Sequence, residues 1–115
     1  MKTLSDIIEY KKEEVNIKKK LLTLTQIKEE SLNYNPTRPF LKQIENNKSK
    51  ISIISEIKKA SPSKGVIRSD FNPLEIGQIY ERNGATCLSI LTDKKFFQGD
   101  DKFIKAVKSK VLLPV

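Results

Sequence analysis

The chain has no histidine and no tryptophan, a single cysteine and only four glycines in 115 residues. Without histidine, every catalytic scheme that rests on an imidazole is excluded from this chain. One cysteine permits no disulfide within it, and with histidine absent the usual zinc ligands are gone as well. Cys87 stands in an apolar run, which predicts a buried structural thiol and not a nucleophile. No apolar run approaches the roughly 18–20 residues that cross a bilayer. The opening MKTLSD lacks the basic-then-apolar plan of a secretory signal, so the expectation is a soluble, cytoplasmic protein with no membrane partner. Neither G-x-G-x-x-G nor a P-loop occurs, and no nucleotide cofactor gains support.

What is abundant is lysine, in a formal net charge of +8. Such a balance attracts polyanions without identifying one. The lysines fall in helical segments, as in Lys11-Lys12 and Lys18-Lys19-Lys20, and are not interleaved with aromatics. A solvated helix surface accounts for them, and nucleic-acid binding would need a basic stripe on one face. The same charge suits a doubly anionic phosphorylated substrate.

Periodicity divides the chain in two. Residues 1–50 read as helical: a first helix from Thr3 to about Lys20 with Ser5 as N-cap, and a second from a Thr25 cap through Ser31 with Ile27 inward. A break follows at Asn33-Tyr34-Asn35-Pro36, then a short helix with Phe40, Leu41 and Ile44, and a polar linker over residues 45–50. From residue 51 the rhythm becomes strand, helix, strand, helix, strand, the pattern of a parallel sheet. Asn72 and Pro73 open the first of these helices, whose inward face is Leu74, Ile76, Ile79 and Tyr80, and Gly84 suits its end. Residues 86–92 form a strand covered on both sides. Asp100 or Asp101 caps the next helix, with Phe103, Ile104 and Val107 buried, and residues 111–115 start a third strand.

The chemistry concentrates in ISIISEIKKASPSKG, residues 51–65. Strand side chains alternate, so Ile54, Glu56 and Lys58 point one way while Ile53, Ser55 and Ile57 point the other. Glu56 and Lys58 then emerge together at a strand's carboxyl end, where parallel α/β folds keep their chemistry. There they offer a carboxylate base beside an ammonium that polarises a carbonyl or holds an anion. Spacing alone describes a solvated ion pair equally well.

With Leu88-Ser89-Ile90-Leu91-Thr92-Asp93 and Phe96-Phe97-Gln98-Gly99, this run resembles the indole-3-glycerol-phosphate synthase family, whose signature is close to E-x-K-[KR]-x-S-P-S. Glu56, Lys58, Lys59, Ser61, Pro62 and Ser63 match it. The resemblance implies an α/β fold, a partial (β/α)8 TIM barrel truncated at the third strand. Residues 1–50 would be a helical extension packing on the barrel and residues 51–115 the first β/α units. It implies a carboxy-lyase of tryptophan biosynthesis, working without metal or organic cofactor on a phosphorylated small molecule. Glu56 corresponds to the first-strand catalytic glutamate and Lys58 to the lysine of acid catalysis and carboxylate binding. Ser61 and Pro62 fall in the mobile loop after that strand, and Phe97 fits an aromatic packed on the substrate ring.

A complete barrel needs roughly 200 residues or more. The family's further lysine after the third strand, its later glutamates and its phosphate loops are not in this chain. Little activity is therefore expected of it alone, and its open edges predict marginal stability and association. The partners implied are the remaining barrel part or another tryptophan-pathway enzyme. The alternatives are a non-catalytic complementing subunit of a split barrel and a basic nucleic-acid-binding module.

Overall fold

A computed structural model of the protein describes residues 2–48 and 51–115. Two compact units divide it, Met1–Pro36 and Thr37–Val115.

The first unit holds α1 (Leu4–Leu21) and α2 (Leu24–Ser31). Both are capped two residues before the Ser5 and Thr25 expected. Thr3 caps α1: its N–H donates to the Asp6 carboxylate at 2.7 Å while its own hydroxyl accepts from the Asp6 N–H at 3.3 Å. Thr23 and Gln26 do the same for α2, at 2.8 and 3.3 Å. In each case a residue three positions on returns the bond, and that reciprocity decides which hydroxyl caps. Ser5 and Thr25 lie inside the helices. The reciprocal bonds hold the Asp6 carboxyl below the usual carboxylate range. Lys11 and Lys18 both pair with Glu14 along α1, and Ile27, expected inward, is 47% exposed.

The second unit begins with α3 (Phe40–Glu45), so Glu45 belongs to a helix and not to the polar linker; residues 49 and 50 of that linker lie outside the described residues. β1 (Ile54–Ile57) pairs in parallel with β4 (Cys87–Ile90), Ile54 opposite Cys87 and Ile57 opposite Ile90. Between them come a small antiparallel hairpin, β2 (Ala60–Ser61) and β3 (Gly65–Val66), and the crossover helix α4 (Pro73–Arg82). Asn72 caps α4 through its side chain and Pro73 fills the first turn, where its missing N–H costs nothing. Gly84 closes the helix at φ +89°.

The core is Ile57, Ile76, Leu88, Val107 and Val111, with Phe71, Tyr80, Ile90 and Leu113 packed on it. Ile57 thus faces inward while Ile54 and Glu56 are exposed, which is the alternation a strand imposes. Gly77 lets α4 approach: a Cβ there would lie 2.9 Å from Val107 Cγ1. Cys87 is fully buried, its thiol pointing at the Phe40 carbonyl at 3.7 Å, and burial pushes its pKa up.

Helix α6 (Lys102–Lys108) meets one expectation and corrects another. Asp101 occupies the cap position, but the capping side chain is Asp100, which accepts from the Lys102 N–H at 2.9 Å. Val107 is buried and Phe103 packs on Phe71 at 5.6 Å between ring centroids, whereas Ile104, expected buried, is 36% exposed. Phe103 and Val107 lie one turn apart along the inward stripe, and Ile104 lies at its margin. That Lys102 bond holds the Asp100 carboxyl below its ordinary value, aided by Lys94. A lowered folded-state pKa stabilises above the ordinary carboxylate range and is lost as pH falls through the lowered value. Amide protection factors in the first turn of α6, referred to the intrinsic exchange rate at each pH, are therefore expected to fall on acidification, and Asp100→Asn is expected to flatten that dependence.

Residues 111–115 do not form the expected strand. They run beside β4 with one ladder-like bond, Leu88 N–H to the Pro114 carbonyl at 2.9 Å. The other groups are taken by side chains: Leu112 N–H donates to Glu81 at 2.9 Å, and Arg38 donates to the carbonyls of Val111 at 2.6 Å, Leu113 at 3.0 Å and Lys108 at 3.0 Å. Pro114 has no N–H to offer. One guanidinium thus fastens the end of α6 and the segment after it. Arg38→Met keeps the stem and strands three carbonyls, so a loss of roughly 2–3 kcal/mol is expected in urea unfolding. An unchanged midpoint would mean water replaces the guanidinium at no cost.

Candidate functional site at the strand rim

Chain direction sets the site. β1 and β4 run parallel, so both end at the same rim, where β1 ends in Glu56 and Ile57 and Lys58 follows directly. Ile57 dives into the core between two outward residues. Glu56 and Lys58 meet there, Lys58 Nζ lying 2.6 Å from Glu56 Oε1, with side chains 45% and 34% exposed respectively. The pair is in contact and open to a ligand. A carboxylate and an ammonium so placed can take a proton and give one, or hold an anion beside a base.

No local signal announces the part played by Tyr80. From α4 its hydroxyl donates to the Glu56 carbonyl at 3.0 Å, fixing the backbone from which the carboxylate springs. A tyrosine one face-turn from Ile76 reads only as packing; its hydroxyl's target depends on the crossover.

Ser61 and Pro62 fall in the hairpin that follows, Ser61 in β2 and Pro62 in the β2–β3 turn. Gly65 supplies its positive φ of 65°. The Ser61 hydroxyl accepts from the Lys64 N–H at 3.2 Å and lies 3.5 Å from the Ser63 hydroxyl, so the turn itself engages it. After β4 the chain makes a short helix that periodicity could not detect, α5 (Lys94–Phe97), packed against β2. Phe97 rides on it half-buried while Phe96 goes into the interior. Phe97 is thereby carried by the element beside the Ser61 strand.

Asp93 builds that helix. Its side chain accepts from the Phe96 N–H and its carbonyl from the Gly99 N–H, both at 2.7 Å. Gln98 turns through φ 50° to bring Gly99 back onto the strand end. The spacing Asp-x-x-Phe was the legible signal for this cap, with Gly99 for the close return.

A cleft of about 380 Å³ lies at the opposite, amino end of the strands, lined by Gln43, Asn46, Asn47, Lys48, Gly84, Ala85 and Thr86. Its polar groups serve the fold: Asn47 Nδ2 donates to the Ile51 carbonyl and the Ser52 and Thr86 hydroxyls, and Thr86 accepts from the Ile53 N–H. The rim pair is the better candidate because its groups face solvent. Among the described residues no cluster of three or more His, Cys, Asp or Glu could hold a metal, and no helix is long and apolar enough to cross a membrane.

A parallel β-α-β core with a carboxylate and an ammonium at its carboxyl rim defines an α/β protein built to present chemistry at strand ends. Residues 4–115 match the family "Indole-3-glycerol phosphate synthase", and the chain belongs to that family. It is 44% identical over 112 residues to the indole-3-glycerol phosphate synthase of Prochlorococcus marinus subsp. pastoris. The enzymes of that name from Rippkaea orientalis and Microcystis aeruginosa are each 43% identical over the same length. Each match covers 97% of this chain and 38% of the relative. The chain thus spans well under half the length of these relatives.

Proposed function

We propose that this chain supplies the first catalytic strand of an indole-3-glycerol-phosphate synthase, and that residues 51–115 are the first β/α units of a (β/α)8 barrel to which residues 1–50 add a helical extension. The observation that carries the reading is the Glu56–Lys58 contact at the carboxyl rim of β1, accessible on both side chains. The reaction turns 1-(2-carboxyphenylamino)-1-deoxyribulose 5-phosphate into indole-3-glycerol phosphate, carbon dioxide and water. The ring carbon bearing the carboxylate attacks the ketone carbon, and the ketone oxygen gains a proton as charge develops on it. Lys58 suits that charge, either at the ketone oxygen or at the substrate carboxylate. Carbon dioxide departs, its bonding pair restoring the aromatic ring. The new hydroxyl then takes a proton from a general acid and leaves as water, while a base removes the proton whose loss forms the new ring double bond, a task that suits Glu56.

Ser61 and Pro62 would border the substrate from the hairpin, and Phe97 would offer its ring from α5. The excess of basic residues suits the substrate phosphate, and the cytoplasm is the compartment where such biosynthesis belongs. No cofactor enters any step.

The test supplies the later units in a second polypeptide, the segment of the Prochlorococcus relative beyond its matched 112 residues, co-expressed with the full chain. Chromatography of the reaction is expected to show indole-3-glycerol phosphate from the pair and at most a trace from the chain alone. A complex that forms and yields no product would overturn the proposed activity.

A further inference from the structure

Of the seven asparagines in the chain, Asn83 alone precedes a glycine. Asn16, Asn33, Asn46 and Asn47 precede residues whose side chains screen the following nitrogen, and Asn35 and Asn72 precede prolines, which have no N–H. Asparagine is thermolabile because the next backbone nitrogen can attack its side-chain carbonyl carbon. That attack needs an exposed pair and a nitrogen free to reach Cγ. Asn83 and Gly84 are both exposed, so the first condition holds. The fold withholds the second. Asn83 is the C-cap of α4, and its Nδ2 donates to the Ile79 carbonyl at 2.8 Å, which turns the side chain toward the preceding helical turn and away from Gly84. The Gly84 N–H donates to the Glu81 carbonyl at 3.2 Å and the Ala85 N–H to the Tyr80 carbonyl at 3.0 Å, the paired bonds of a Schellman end. This end sets residue 84 at φ +89°, which glycine adopts without strain. The turn that needs the glycine therefore also guards the amide beside it. Helix ends open locally at far less cost than the whole fold, and every contact that makes this guard lies within residues 79–85.

We propose that Asn83–Gly84 is a site of spontaneous deamidation, reached through local opening of the last turn of α4, and that the acid formed there weakens that turn. The inference rests on neither the barrel reading nor the activity. Once the turn opens, the Gly84 nitrogen gives its proton to solvent base and bonds to Asn83 Cγ, while the Cγ–Nδ2 bond breaks and the side-chain nitrogen leaves as ammonia. Water then opens the five-membered imide at one of its two carbonyls, leaving aspartate or the isomer whose backbone runs through Cγ. Either product lacks the donor to the Ile79 carbonyl and sets a carboxylate at the negative end of the helix dipole.

The experiment incubates the full chain in neutral buffer at guanidinium concentrations from zero to beyond the unfolding midpoint. Cleavage at lysine releases residues 65–94, in which the other asparagine, Asn72, precedes proline, and mass spectrometry with fragmentation reads the fraction converted at Asn83. Without denaturant, conversion is expected to be slower than in the unfolded chain by about fivefold or more, the yield of one net hydrogen bond. It is expected to rise at guanidinium concentrations below the midpoint. Equal rates in the folded and unfolded chain, conversion that waits for the global transition, or faster conversion at another asparagine would each overturn the proposal. In the unfolded chain, where the strain of a positive φ is gone, Gly84→Ala is expected to convert more slowly, and an equal rate would deny the glycine its role. Asn83→Asp supplies one product directly. Its guanidinium midpoint is expected to fall below that of the parent, and an unchanged midpoint would overturn the weakening of α4.

Discussion

Glu56→Gln is expected to lower turnover of the complemented chain by about 10²–10⁴-fold, the range for loss of a general acid or base. The replacement is isosteric and keeps a hydrogen-bonding oxygen for Lys58, so the rim retains its shape. What disappears is a group able to accept a proton and carry charge beside the ammonium. Folding should hardly notice. The Glu56–Lys58 contact is about half exposed on the carboxylate side, and exposed pairs contribute roughly 0–1 kcal/mol. Kinetics and urea unfolding on one preparation separate the roles: a fall in kcat at constant unfolding midpoint supports chemistry at Glu56. Turnover near that of the parent would place the pair among ordinary surface contacts.

Gly99→Ala is expected to destabilise the second unit by about 2–4 kcal/mol, at the upper end of overpacking effects. A Cβ at this position would lie 2.2 Å from the Leu91 carbonyl oxygen and 2.8 Å from the Leu91 and Thr92 carbonyl carbons. These are backbone atoms at the end of β4 and cannot swing away as a side-chain tip can. The turn over residues 93–99 must open, losing the 2.7 Å bond from the Gly99 N–H to the Asp93 carbonyl. Gly84→Ala is the control. It meets open space and suffers only from its φ of +89°, a strain of roughly 1–2 kcal/mol. Circular dichroism through a urea titration should therefore rank Gly99→Ala well below Gly84→Ala. Equal midpoints would show that the turn relaxes freely, and Phe97 would lose its claim to a fixed place.

The parts of this fold that a reader of the sequence could find are those written in one stretch of chain. Asn72-Pro73 announces α4, Gly84 its end, and the alternation at the end of β1 separates the exposed Glu56 from the buried Ile57, although Ile53 on the Ile57 side is 53% exposed. Glu56 and Lys58 follow from that alternation because two residues on one face of a strand are neighbours by construction. Where two local signals compete the reading fails. Ser5 and Thr25 are good capping residues, but Thr3 with Asp6 and Thr23 with Gln26 each satisfy two donors, and two bonds win over one. Residues 111–115 have a strand's composition, yet Arg38, more than seventy residues away, claims their carbonyls. No window along the chain contains both partners. The same holds for Tyr80, whose hydroxyl meets Glu56 only after the crossover has folded back, and for α5, too short for any periodicity to register.

Cys87 gives this chain a clock. It is the sole thiol, fully enclosed under α3 and with its ionisation suppressed by burial, so an alkylating reagent can reach it only when the helix lifts from the sheet. The labelling rate then reports the population of the open form, or the opening rate itself where the reagent outpaces reclosing, and so follows how the core breathes before and after later strands join it.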